Sequence, residues 1–193
     1  MYGKSRARRR RGVLLLMVLV GILAILPFAL RVPDGVMRTI YPLRYEAAIR
    51  EASEKNDLEP AFVAAVIYTE SRFRPDAESH QEAYGLMQLL PQSARFIQRK
   101  SGIKGDYRDP QVNIRLGTWF LGYLNDRYDG DKRLMLAAYN SGEGSVNAWT
   151  SDEGFDIETD IPYKETREYV DRALEAQQVY QKLYGKDLRQ SDD

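Results

Sequence analysis

Residues 12–30, GVLLLMVLVGILAILPFAL, form an uninterrupted run of 19 uncharged and mostly apolar residues. As a helix rising 1.5 Å per residue, such a run crosses the ~30 Å hydrocarbon core of a bilayer. A buried core helix is the alternative, and the absence of any polar face over all 19 residues argues against it. The apolar core of a cleaved signal is shorter, about 7–15 residues, and ends in a small-x-small site. The nearest candidate here, Pro27-Phe28-Ala29, is a poor one. The chain has no cysteine, which excludes lipoprotein anchoring, disulfides and thiolate chemistry alike. The expectation is one uncleaved transmembrane signal-anchor over residues 12–30.

Charge gives that span a direction. Residues 1–11 carry Lys4, Arg6, Arg8, Arg9, Arg10 and Arg11 and no acid, a sum of +6. Basic residues flanking a span stay on the cytoplasmic side. The chain is therefore expected to cross once, with a basic cytoplasmic tip and everything after residue 30 outside. The rest holds 22 bases against 28 acids, a net of −6. Nucleic acid is excluded as a partner, because its footprint is a basic face. A single histidine and no loop of calcium-ligand spacing leave no expected metal site, and no cofactor is expected.

Beyond a linker at 31–42, helix-period patterns dominate and no convincing alternating strand occurs. Tyr45, Ala48, Ile49 and Ala52 form one stripe over 45–55. Pro60 suits the first turn of the next helix, where Phe62, Ala65, Val66 and Thr69 follow helical spacing. That helix is expected to end near Phe73, because Arg74 precedes Pro75 and is pushed out of the helical region. A loop leads to a short helix at 92–100. Asp109-Pro110 then supplies an N-cap and a first-turn proline. Behind it Val112, Leu116, Trp119, Phe120, Tyr123 and Leu124 make an apolar stripe. Further helices are expected at 132–140, 145–149 and 165–184. The last carries Tyr169, Ala173, Ala176, Tyr180 and Leu183 on one face, before a polar tail at 185–193.

Three segments are unusual for scaffold. They are Glu70-Ser71-Arg72-Phe73-Arg74-Pro75, leading into Ser79 and Gly85-Leu86-Met87-Gln88; Ala137-Ala138-Tyr139-Asn140-Ser141-Gly142; and Pro162-Tyr163-Lys164-Glu165-Thr166-Arg167-Glu168-Tyr169-Val170. Glu70 stands near the end of a helix with apolar neighbours. The macrodipole disfavours an anion there, and low polarity disfavours it further. Both raise the carboxyl pKa, as a general acid requires. No second carboxylate is assignable, since Asp76, Glu78 and Glu82 read as loop surface.

With the intervening Asp-Pro-Gln-Val-Asn-Ile-Arg-Leu-Gly stretch, these ordered motifs resemble the soluble lytic transglycosylase family over residues 43–184. The resemblance implies an all-α domain of the goose-type-lysozyme-like kind, following the transmembrane helix. It implies peptidoglycan glycan strands as substrate and Glu70 as the sole catalytic acid/base. Ser79, Met87, Gln88, Tyr139 and Asn140 match groove-lining positions. Glu165 matches a buried supporting acid, and Tyr169 supports the site with it.

Cleavage of the MurNAc–GlcNAc bond would then leave 1,6-anhydro-MurNAc ends and consume no water, in cell-wall remodelling. A muramidase on the same fold and a silent glycan-binding scaffold are the alternatives. Two departures touch loops beside the motifs: Glu82 stands where the family often has glycine, and Ser141-Gly142-Glu143 replaces Ala-Gly-Pro. Trp119 and Phe120 read as core and His80 as a loop residue. Trp149 reads as core, with stacking on a sugar ring as its alternative.

Overall fold

A computed structural model describes residues 33–185 and Leu188. The transmembrane expectation for 12–30 and the basic tip lie outside these residues. Among the described residues, no helix is long and apolar enough to cross a membrane. They divide into two units, one ending at Ile40 and the other beginning at Tyr41.

The first unit contributes helix α1, Asp34–Ile40, inside the segment expected to be a linker. None of its residues is buried, and the Thr39 hydroxyl donates to the Gly35 carbonyl at 3.1 Å. Seven residues are too few for the spacing of Val36, Met37 and Ile40 to establish a period, which is why its sequence looks like linker.

The second unit holds α2 (Glu46–Lys55), α3 (Pro60–Ser71), α4 (Pro91–Ser101), α5 (Pro110–Arg127), α6 (Lys132–Ser141), α7 (Glu143–Thr150) and α8 (Lys164–Tyr184). Its only β features among the described residues are isolated bridges from Tyr84 to Glu78 and Leu89. The all-helical expectation holds, with boundaries mostly within one or two residues.

Helix α3 is the axis of the unit. Ala61 to Ile67 are all buried, so the helix is apolar around its whole circumference and not on one stripe. Helix α8 packs along one side of it and α2 touches another. Alanines at 61, 64 and 65 of α3 and at 173 and 176 of α8 keep this contact free of bulk. The α8 stripe is buried as expected, and Thr166, Val170, Gln177 and Tyr184 widen it. The hydroxyls of Tyr180 and Tyr184 donate to the carbonyls of Pro42 and Tyr41, both at 2.8 Å. The packed unit therefore starts two residues before the expected boundary at 43. Its far end also extends past Tyr184: Leu188, in the stretch expected to be a frayed polar tail, is buried and donates its N–H to the Tyr184 carbonyl.

Capping explains the ends. Asp109 accepts from the N–H groups of Gln111 (2.9 Å) and Val112 (3.0 Å), with Pro110 at the first position. Asp131 caps α6 in the same way through Arg133 and Leu134. Gly102, at φ +76°, closes α4 in the left-handed region. Helix α3 stops at Ser71, two residues earlier than expected. Arg72 and Phe73 both turn left-handed, at φ 51° and 62°, before Pro75 is reached. A second core of Leu89, Ala94, Ile97, Val112 and Leu116 seats α4 on α5.

Candidate active site

Glu70 occupies the last turn of α3, where that buried axis reaches the surface. Its carboxyl is half-buried and opens on a cleft of about 360 Å³. Helix α8 supplies its partner: the buried Tyr169 donates its hydroxyl to Glu70 Oε1 at 2.7 Å. Burial pushes the Glu70 carboxyl up to about 7, against smaller opposing pulls from the Tyr169 hydrogen bond and the Arg172 charge. Tyr139 and Tyr169 are held well above the usual phenol range, first by burial and then by the Glu70 charge. Both therefore act as neutral hydroxyls.

The loop after α3 makes one wall. The Ser79 hydroxyl accepts from the N–H groups of Gln81 (3.2 Å) and Ala83 (3.0 Å), which bends the loop into the cleft. Gln88, at φ 47°, uses its amide nitrogen on the carbonyls of Ala77 and Gly85, each 2.9 Å away. Its amide oxygen is left as the acceptor on this wall. His80 lies on the same loop, exposed, and forms part of the rim. Glu82 is also left-handed, at φ 64°, a conformation that favours glycine.

Helices α5 and α6 make the other wall. Tyr139 donates its hydroxyl to the Met87 carbonyl at 2.8 Å. Asn140 accepts from Thr166 of α8 through Oδ1 at 2.9 Å, which leaves its amide N–H groups for the cleft. Gly142, at φ 85° and ψ 150°, joins α6 directly to α7 in a conformation that only glycine adopts readily. The next residue, Glu143, takes the Tyr123 hydroxyl at 3.1 Å and the Arg127 guanidinium at 2.8 Å. This departure from the family pattern thus fastens α7 to α5.

Seven of the eight expected site residues meet here, and two expectations need correction. Met87 does not line the cleft: its side chain is fully buried against Gly117, where an added Cβ would stand 2.4 Å from Sδ. Only its backbone serves the site, by anchoring Tyr139. Glu165 is not a buried acid. It is exposed in the first turn of α8 and forms part of the cleft wall. Among the described residues it is the one other carboxylate lining the cleft, whereas Asp76, Glu78 and Glu82 do not line it.

Phe120, expected as core, is half-buried and lines the cleft with its ring centroid 5.7 Å from that of Tyr139. Trp119 is half-buried and lies nearly parallel to Tyr123 at 5.8 Å. Gln81 and Ser93 also line the cleft, and neither belongs to a motif.

A helical domain whose central helix delivers one half-buried carboxyl to a polar cleft is lysozyme-like in architecture. The sequence model of the transglycosylase SLT domain matches residues 47–161, and the chain belongs to that family. The match ends before α8, so Tyr169 lies outside the matched span.

The soluble lytic murein transglycosylase of Salmonella typhimurium is 30% identical over 156 residues, 75% of this chain and 24% of its own length. The membrane-bound lytic murein transglycosylase C of Cronobacter sakazakii is 37% identical over 116 residues, 53% of this chain and 32% of its own. The structure of lytic transglycosylase Slt from Pseudomonas aeruginosa, an inactive Glu-to-Gln mutant, superposes with a TM-score of 0.71 at 33% identity. That superposition covers 78% of this chain and 25% of the other. The chain thus spans about a quarter of the length of the soluble relatives it matches.

Proposed function

We propose that this chain is a membrane-anchored peptidoglycan lytic transglycosylase, cutting the MurNAc–GlcNAc β-1,4 bond with Glu70 as both acid and base. The observation that carries the reading is the carboxyl of Glu70, raised to about 7 and hydrogen-bonded by Tyr169 at the cleft. A carboxyl poised there is protonated often enough to act as an acid near neutral pH and ionised often enough to act as a base. Glu70 gives its proton to the GlcNAc O4 as the bond to MurNAc C1 breaks. The carboxylate then takes the proton of the MurNAc 6-hydroxyl, whose oxygen bonds to C1 and closes the 1,6-anhydro ring. Glu70 ends protonated, and no water enters.

The wall residues fit that task. Gln88 presents an acceptor and Asn140 a donor towards a sugar, and the neutral Tyr139 hydroxyl retains accepting capacity. Ser79, already accepting twice, has its hydroxyl proton to donate. Phe120 offers an apolar face.

Glu165 favours a second reading. A muramidase would use a second carboxylate to direct water at C1, and Glu165 is the candidate in the cleft wall. The ends of the products decide between the two. The purified full chain is expected to release muropeptides with 1,6-anhydro ends, read by mass spectrometry. Reducing ends would make the enzyme a hydrolase, and binding without release would make it a scaffold.

The anchor reading rests on residues 12–30 and the +6 tip, in keeping with the membrane-bound name of one relative. It places the N-terminus in the cytoplasm and the catalytic domain outside, within reach of wall strands near the membrane. A reporter fused after residue 193 that requires export for activity is expected to be active, and one that works only in the cytoplasm silent. The reverse pattern would overturn this topology.

A further inference from the structure

Tyr163 is 54% exposed, more than any other large apolar or aromatic side chain among the described residues. The other two exposed ones, Val36 and Ile40, belong to α1. An exposed tyrosine presents an apolar ring face together with a hydroxyl, the pairing that suits a ligand that is apolar on one side and polar on the other. Trp149 stands behind the Tyr163 ring, itself only 9% exposed, edge-on at 5.3 Å and 79°. The tryptophan considered above for sugar stacking is therefore the support, and the tyrosine is the open ring.

The backbone beneath is fixed as well. Arg167 donates from its guanidinium to the carbonyl of Ile161, which is buried, and its N–H bonds the Tyr163 carbonyl at 3.1 Å. A ring held this way loses little freedom when a ligand lies on it. Beside it is a depression of about 270 Å³ lined by Trp149, Pro162 and the carboxylates of Asp152, Glu153 and Asp160. Pro162 lines this depression and Glu165, three residues on, lines the cleft of Glu70. That is at most ~10 Å of chain. The two linings are thus joined by one short stretch of chain, with Tyr163 between them in sequence.

We propose that Tyr163, backed by Trp149, is a distal saccharide subsite that takes a further N-acetylated sugar ring of the strand being cut. This rests on the cleft being a glycan-cleaving site. The charge selects the occupant. Carboxylates lining the depression repel the acidic stem peptide but accept hydrogen bonds from sugar hydroxyls and amide N–H groups, and an aromatic face packs against the C–H face of a ring. Its role is to hold long strands in register with Glu70, so its contribution grows with substrate length.

The test compares kcat/KM of the full chain on long glycan strands with that on a tetrasaccharide. Tyr163→Ala is expected to lower the ratio of the two about tenfold, the size of one aromatic contact, and Tyr163→Phe to preserve it. An unchanged ratio in Tyr163→Ala, or an equal fall in Tyr163→Phe, overturns the proposal. Cosedimentation with insoluble peptidoglycan in a Glu70→Gln background needs no cleavage. There Tyr163→Ala should weaken binding about tenfold, and unchanged binding counts against the subsite. A chain that binds through Tyr163 but cleaves nothing would sink the enzymatic reading while leaving the subsite standing.

Discussion

Glu70→Gln is expected to lower kcat on peptidoglycan by about 10²–10⁴-fold, the range that general acid–base catalysis supplies. The amide keeps the shape and still accepts from Tyr169, but has no proton to give and cannot take one. Since one carboxyl serves both steps, loss of either function stops turnover. Release of soluble muropeptides measures this. Near-normal release would remove Glu70 from the mechanism.

The same variant tests the raised carboxyl without any substrate. An ordinary glutamate titrates near 4.5 in the unfolded chain, and Glu70 near 7 in the native one. Between those values the native state holds a proton that the unfolded state has released, so stability falls as pH rises. The contribution is fully present below about 4.5 and lost on passing 7. The shift corresponds to roughly 2–3 kcal/mol, at 1.36 kcal/mol per unit and allowing for solvent access from the cleft.

Glu70→Gln does not titrate. Denaturant unfolding should therefore find it more stable than wild type at pH 8 by up to that amount, with the gap closing towards pH 4. Tyr169→Phe removes a hydrogen bond that favours the ionised form, so in that variant the alkaline fall in activity should move to higher pH. A gap that persists unchanged at pH 4 would locate the gain in packing and not in the proton.

What the sequence disclosed divides by range. Asp109-Pro110 announced a helix start because a cap is a contact across three residues, readable from spacing alone. The α8 stripe was equally legible, being one face of a long helix. The burial of α3 on all sides goes beyond its legible stripe, because periodicity says nothing about how many neighbours surround a helix. The bond from Tyr169 to Glu70 joins residues 99 apart, and no local pattern contains it; motif order alone brought the two together. Motif order also misled, for it says which residues are near the site and not where side chains point. Gln88 turns into the cleft, and Met87 beside it points into the core.

That reversal at Met87 depends on one side chain. Asn113, fully buried in α5, accepts the Met87 N–H through Oδ1 at 2.8 Å. Its amide nitrogen donates to the carbonyls of Tyr84 (3.0 Å) and Tyr107 (2.9 Å). Gly85 lies so close that an added Cβ would come within 2.6 Å of the Asn113 amide. The Met87 peptide is thus gripped on both sides, by Asn113 at its N–H and by Tyr139 at its carbonyl.

Asn113→Leu keeps the volume but orphans the Met87 N–H and the Tyr107 carbonyl; the Tyr84 carbonyl still has the Leu89 N–H at 3.0 Å. One buried orphan and one part-buried orphan, at about 1–3 kcal/mol for the first and less for the second, predict a loss on the order of 3 kcal/mol, to be read by denaturant unfolding. Activity should fall with it, because the loop that carries Gln88 and the seat of Tyr139 loses its anchor.

Asn113→Asp separates hydrogen bonding from shape. A buried carboxylate facing the carbonyls of Tyr84 and Tyr107 is disfavoured, so its native pKa lies above its unfolded one. This variant should be nearest to wild type in acid and lose stability as pH rises through that native pKa, until the carboxyl is fully ionised. If both variants unfold like wild type, the loop is held by packing alone and the amide is incidental.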